Sequence, residues 1–472
     1  VEKLEVQRFD ICRAFLHTPS RTPTYVYPPI EAQEEKNILW KLTVTMYGLE
    51  EAMVEFDEHF TKVVEQFSPP FRRCASDPTV FSNKQVICCR HVDDGLAIGT
   101  GASLDRFFEE LGEHFALKVF ERIGAQEQLH LGVHISRTPS GFAIRNKDEL
   151  LDDMADLYDL AEANPTVIPG TKAESRRPDE QPMEDSERKT KYRTAVGKAL
   201  FYAHKRPDAQ FATKECARTD SSPTEEDEKR MRKLIRYFLG TRNMRLYLEP
   251  FKTDKEYQMV TFVDSDWAGD RVTRKSTTGV EIKINRALVL SYARTQQTVA
   301  HSAAEAELNA LLSGACESIG IKTMMEELGR KVSVELKSDS SAGISIASRL
   351  GQGRLKHLEL KQLSIQNWVR HKIFKISKVD TAHNHADILT KNLGIKLFQY
   401  HRDGAGLRDE TVPRPVAVVR GGGSWDSVSR GIRMCLSGII ALMSSGEACS
   451  EETKEQRATT ASGGGVTHNV EI

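Results

Sequence analysis

Phe262-Val263-Asp264-Ser265-Asp266-Trp267-Ala268-Gly269-Asp270 decides the fold, because the apolar run Val260-Thr261-Phe262-Val263 stops on a carboxylate. That run is β-branched and aromatic and reads as a strand that Asp264 closes. Two more runs, Val280–Ile284 and Leu288–Tyr292, read as strands after a turn at Thr277-Thr278-Gly279. A long helix is predicted from about Ser302 to Leu328. Then come a strand Val332–Lys337, a short helix from Ser340 and a helix near 358–370. A strand Ile373–Val379 and a last helix starting near Asn384 complete the unit 256–393. Three strands followed by helices alternating with two more strands predict a mixed sheet with helices packed on it.

This unit has four acids at element ends. Asp264 ends its first strand, Glu307 lies on the long helix, Asp339 ends the fourth strand and Asp387 opens the last helix. Any one alone is most simply a solvated acid or a helix cap. Four in one unit fit a different demand. Cutting or making a phosphodiester needs carboxylates that hold two divalent cations about 4 Å apart, rather than a protein nucleophile. Mg²⁺ suits the task because it takes oxygen ligands and shares them with substrate phosphate.

Upstream, residues 1–150 read as mixed α/β. Val86-Ile87-Cys88-Cys89 suits a strand and 104–116 an amphipathic helix. His91-Val92-Asp93-Asp94 follows the strand and precedes Gly95-Leu96-Ala97-Ile98-Gly99, a hairpin-like order. Residues 172–191 are charged, carry two prolines and read as a solvated linker. Residues 192–240 read as helical. Their last part places Met231, Leu234, Ile235, Phe238 and Leu239 on one face, and Arg230, Arg232, Lys233 and Arg236 on a solvated basic side. Gly-, Ser- and Thr-rich sequence beyond residue 400 reads as flexible. The apolar run 432–443 is short of the ~20 residues a membrane-spanning helix needs.

Composition narrows the classes. The 472 residues allow two to four ordinary domains. Hydrophobic residues at 39% and charged residues at 28% exclude a membrane protein and a wholly disordered chain. With 66 basic and 67 acidic residues the net charge is −1, so nucleic acid would be held by local patches and metal ions, not bulk charge. The eight cysteines form no C-x-x-C pair, and the opening residues are no secretory signal. An intracellular, cytoplasmic or nuclear, place is expected. Val1 reads as the middle of a longer chain.

The motifs around the four acids carry a resemblance. Asp264-Ser-Asp-Trp-Ala-Gly-Asp270 with Arg274-Lys275-Ser276-Thr277-Thr278-Gly279 resembles the ribonuclease H domain of copia-type retrotransposon Pol polyproteins. So do Ser302-Ala-Ala-Glu-Ala-Glu307, Asp339-Ser-Ser-Ala342, Arg354-Leu-Lys356-His357 and Ala386-Asp-Ile-Leu-Thr-Lys391. The order Asp, Glu, Asp, Asp separates it from integrases, which share the fold. The resemblance implies that Asp264, Glu307, Asp339 and Asp387 are metal ligands, with Asp266 and Glu305 pointing elsewhere. It offers His383, or His385, as a proton shuttle, and Arg354, Lys356 and His357 as phosphate contacts.

The N-terminal half resembles the reverse transcriptase of the same polyproteins. Phe9-Asp10-Ile11-Cys12-Arg13-Ala14-Phe15-Leu16 is similar to its first catalytic motif, and Arg90-His91-Val92-Asp93-Asp94 to its paired-Asp hairpin. The resemblance implies a palm in which Asp10, Asp93 and Asp94 hold two metal ions and Phe15 screens against a ribose 2′-OH. The implied architecture is α/β (α+β). A reverse transcriptase palm spans 1–150 without its fingers, and a thumb- or connection-like helical region spans 151–255 with the linker 172–191. A ribonuclease H-like domain spans 256–395, and a flexible tail 396–472. The implied activity is RNA-directed DNA polymerisation joined to Mg²⁺-dependent hydrolysis (Mn²⁺ as a substitute) of the RNA strand in RNA–DNA hybrids. Primer–template, hybrid and other Pol segments are the implied partners, with no membrane. Glu50, Glu51 and Glu55 stand where the family has basic, amide or small residues, so the polymerase half is expected to be impaired. The alternative is a non-catalytic remnant that binds nucleic acid.

Overall fold

The computed structural model describes residues 4–32, 38–172, 176–251, 256–351 and 360–409. Arg354, Lys356, His357 and the run 432–443 lie outside the described residues. The fold class is mixed α/β, built on three main sheets.

The first sheet is antiparallel, in the order β4-β5-β6-β7-β1-β8. Its strands are β1 (Glu5–Ile11), β4 (Arg72–Arg73), β5 (Val80–Ser82), β6 (Val86–His91), β7 (Asp94–Gly99) and β8 (Leu117–Arg122). A small ribbon, β2 (Tyr25–Val26) with β3 (Trp40–Lys41), stands apart. The apolar run at 86–89 is buried on both faces, as a central strand requires. Val86, Cys88 and Ala97 pack with Phe9, Phe56, Phe60 and Phe107 under helices α1 (Ala52–Val64) and α2 (Gly101–Gly112). Ile87, Cys89, Leu96 and Ile98 face the opposite way, into a core shared with the second sheet. Helix α2 begins three residues before the expected position, because the Thr100 side chain caps it by accepting from Ser103 N.

The second sheet is ordered β18-β12-β11-β10-β9. It joins β9 (Gln128–His130), β10 (Val133–Thr138) and β11 (Gly141–Asn146) to β12 (Met244–Leu248) and β18 (Leu407–Asp409). The boundaries expected at 150, 255 and 396 therefore all cut across one sheet. Residues 395–409 are not a flexible tail, since α10 (Ile395–Gly404) buries Phe398 and His401 before β18 pairs with β12.

Between these lies a helical layer of α3 (Asp148–Leu157), α4 (Ser186–Tyr202), α5 (Pro207–Ala217) and α6 (Glu225–Gly240) around Tyr158, Tyr192 and Tyr237. The linker expected at 172–191 ends earlier, because Asp185 caps α4 by accepting from the Glu187 and Arg188 amides. Glu180 within it pairs with Arg230. The basic side of α6 is engaged with protein: Arg232 Nη1 donates to Tyr158 O (3.0 Å) and Arg236 Nε to Asn164 O (2.6 Å).

The third sheet is β15-β14-β13-β16-β17, antiparallel over β13 (Tyr257–Asp266), β14 (Thr277–Ile284) and β15 (Ala287–Thr295). It is parallel over β16 (Val332–Ser338) and β17 (Lys375–Lys378). Helix α7 (Ala303–Glu327) covers one face, with α8 (Ser341–Ser348) and α9 (Leu360–Arg370) beside it. The expected turn at Thr277-Thr278-Gly279 is instead the start of β14. The connection into β14 runs over 267–276, and the tight turn at Asn285-Arg286, both at positive φ (48° and 74°), joins β14 to β15. Gly279 serves an approach rather than a turn: a Cβ there would meet Thr390 Cγ2 at 2.7 Å and Ala386 O at 2.9 Å. That close approach seats the segment 385–391 against the sheet. The helix expected near Asn384 is a 3₁₀ turn, His385–Leu389, followed by α10.

Candidate metal centre

Side chains alternate along β13, so Met259 and Val263 face the α7 side while Phe262, Asp264 and Asp266 face the other. Asp264 is buried near the strand's end, beside the parallel strand β16 that delivers Asp339 just past Ser338. The segment 381–391 is stitched over both. Asn384 Nδ2 donates to Val263 O (3.0 Å), and Thr381 Oγ1 donates to Asp339 Oδ2 (2.7 Å). Thr390 Oγ1 donates to Asp264 Oδ2. These bonds carry Asp387 in with the turn. One oxygen each of Asp264, Asp339 and Asp387 lie within 4.8 Å of one another. Asp264 and Asp387 are buried and Asp339 half-buried.

Glu307 approaches from α7. Its Oε2 is buried without a hydrogen-bond partner among the described residues. Burial, then the charges of Asp264 and Asp339, push its carboxyl up to about 9. Burial and Asp264 likewise push Asp387 up to about 7. Acids crowded until they hold protons at neutral pH lack positive charge, and a divalent cation with oxygen preference supplies it. Lys391 Nζ lies 2.9 Å from Asp387 Oδ1 and 3.3 Å from Asp264 Oδ2. The residues present fit a divalent cation.

Asp266 accepts from the Thr277 amide and faces Lys214, with burial raising it to about 6. Glu305 Oε2 accepts from His301 N (2.9 Å) while Ser302 Oγ accepts from Glu305 N, a reciprocal helix cap. His383 is exposed, 3.7 Å from Asp380. His385 is buried, stacked on Tyr400 at 5.7 Å and edge-on to Phe262 at 5.0 Å, which makes it a packing residue.

In the first sheet, β1 and β7 place Asp10 opposite Asp94. The β6–β7 turn carries Val92 at φ 57°, and Ile11 N donates to Asp93 O (2.9 Å). The three carboxylates share one strand end but are not gathered as tightly as the Asp264 group. Arg8 lies 3.6 Å from Asp94, whose carboxyl is raised by burial. Phe15 sits on a 3₁₀ turn, buried edge-on against Tyr47 (4.8 Å) and Phe56 (5.9 Å). Glu50 and Glu51 are exposed, but Glu55 is buried and accepts from Arg21 N (3.2 Å), so of the three it alone does not stand at the surface.

Lys391, Thr390 and Asn384 complete the centre. No pattern in the sequence marks their roles, although Lys391 stands four residues after Asp387 in Ala386-Asp-Ile-Leu-Thr-Lys391.

Residues 1–172 match the family described as reverse transcriptase (RNA-dependent DNA polymerase). The Pol polyprotein from transposon RE1 of Arabidopsis thaliana is 26% identical over 85% of this chain and 27% of its own length. That from transposon TNT 1-94 of Nicotiana tabacum is 26% identical over 86% and 31%. Among solved structures, the foamy viral protease-reverse transcriptase in complex with dsDNA is 12% identical, with a TM-score of 0.47 over 81% of this chain and 68% of that one. With the motifs above, the sequence matches support a copia-type retrotransposon Pol fragment, whose first 172 residues match the reverse transcriptase family. The chain spans between a quarter and a third of these two relatives. Among the described residues no helix is long and apolar enough to cross a membrane.

Proposed function

We propose that the third sheet carries a ribonuclease H centre that hydrolyses the RNA strand of RNA–DNA hybrids, joined to an RNA-directed DNA polymerase palm in the first. The observation that carries this reading is the gathering of Asp264, Asp339 and Asp387 within 4.8 Å, beside Glu307, whose buried Oε2 has no hydrogen-bond partner among the described residues. Asp264, Glu307, Asp339 and Asp387 would hold two divalent cations, Mg²⁺ or Mn²⁺. When bound, such ions activate water and stabilise the leaving oxygen. The chain's own part is to hold the oxygens. Thr390 and Thr381 fix Asp264 and Asp339, and Asn384 ties the turn to β13. His383 is exposed near this turn and is offered as a proton carrier.

In the palm, Asp10, Asp93 and Asp94 would hold the polymerase's ions and Phe15 would screen the sugar. The expected impairment now rests on Glu50 and Glu51, since Glu55 faces inward. Primer extension by the full chain, compared with Glu50→Lys/Glu51→Gln, tests it. A gain in extension supports impairment, and equal extension removes it. Partners are proposed as hybrid, primer–template and the rest of a longer Pol. Cleavage of a labelled hybrid with and without Mg²⁺ tests the ribonuclease H reading. Hybrid binding without cleavage would favour a non-catalytic remnant instead.

A further inference from the structure

Lys391 is placed inside the carboxylate cluster by backbone, not by chance rotation of a distant side chain. The turn at 385–389 closes with Lys391 N donating to Asp387 O (3.2 Å), so the stem starts beside its partners. Its ammonium reaches Asp387 Oδ1 and Asp264 Oδ2 together. The side chains of those two acids are 4% and 3% exposed, whereas that of Lys391 is 37% exposed. It enters from the solvent side and has room to withdraw. A divalent cation held by Asp264 and Asp387 competes for the same two carboxylates, and two cations a few ångströms apart in a half-buried site repel.

We infer that Lys391 is a positioning residue of this centre: it holds Asp264 and Asp387 together as their counter-ion, yields both carboxylates to a divalent cation, and thereby sets the concentration at which the centre fills. The inference rests on the metal-centre reading above. Removing a competing charge of this exposure lowers the Mg²⁺ concentration needed by roughly fivefold or more.

The test is a Mg²⁺ titration of thermal unfolding on the full chain, in a background carrying Asp93→Asn and Asp94→Asn so that the palm carboxylates do not contribute, comparing Lys391→Met, Lys391→Arg, Asp339→Asn and the protein otherwise unaltered. Lys391→Met is expected to melt lower without Mg²⁺ and to reach half of its Mg²⁺-induced shift at a fivefold lower concentration. Lys391→Arg keeps the charge and is expected to stay within about twofold of the unaltered protein. Should Lys391→Met not fold, Lys391→Gln takes its place in the same titration. Equal midpoints in the unaltered protein and the charge-removing variant overturn the inference and leave the metal centre standing. A Mg²⁺ shift that survives in Asp339→Asn, or no shift in the unaltered protein, overturns the centre and the inference together.

Discussion

Glu307 and Asp387 tie stability to the proposed function. Both carboxyls are raised in the folded state, to about 9 and about 7, first by burial and then by neighbouring carboxylates. The unfolded chain ionises them near pH 4. Without divalent cation, the stability they contribute is therefore present below about pH 4 and is lost as pH rises through 7 and then 9. Urea midpoints in chelator at pH 5, 7 and 9 check this. Glu307→Gln is expected to flatten the fall between pH 7 and 9 while abolishing hybrid cleavage. The four acids could be singled out in the sequence because Asp264 and Asp339 end strands, Glu307 lies on the long helix and Asp387 falls where a last helix was expected to open. Lys391, Thr390 and Asn384 could not, because their roles depend on how a 3₁₀ turn folds back over β13, and no periodicity encodes that.

Two elements hold the site's frame. Helix α7 closes on β13 at Gly314, where a Cβ would lie 2.5 Å from Val263 Cγ1 and 3.2 Å from Thr261 Cγ2. Gly314→Ala gains helix propensity but forces the helix from the strand that bears Asp264, so a net loss of about 1–3 kcal/mol is expected. Denaturant unfolding checks it, with slower cleavage alongside. Helix α5 is anchored by Arg206, buried, bidentate to Asp208 (3.0 and 2.8 Å) and bonded to Thr241. Arg206→Met leaves a buried Asp208 carboxylate held only by Tyr237 among these partners, and a cost of about 3–5 kcal/mol is expected in the same measurement. The strands at 260–263 and 332–337 could be read from β-branched runs. Thr277-Gly279 could not, because turn-forming residue types there are buried: Thr278 accepts from Gln296 Nε2 (3.0 Å) and Gly279 admits the 385–391 segment.

At the scale of the molecule, the chain threads one sheet three times. β9–β11, β12 and β18 come from sequence expected to fall in the palm, the helical region and the tail. Such long-range pairing leaves no local signal, so the boundary at 396 was placed on composition. A chain ending at 395 loses Phe398, His401 and Leu407 from the core and is expected to melt well below one ending at 409. Thermal unfolding of the two compares them directly. The shared core also joins the first sheet to the third, and Ser76 N and Oγ both donate to Glu327 at the end of α7 (3.3 and 2.9 Å). The central claim, a hydrolytic centre on Asp264, Glu307, Asp339 and Asp387, is tested most directly by cleavage of a labelled RNA–DNA hybrid by the full chain in Mg²⁺, beside Asp339→Asn. The account predicts that the unaltered chain cuts the RNA strand and that Asp339→Asn binds the hybrid without cutting it. Equal cutting by both, or binding without cutting by the unaltered chain in Mg²⁺ and in Mn²⁺, would contradict it.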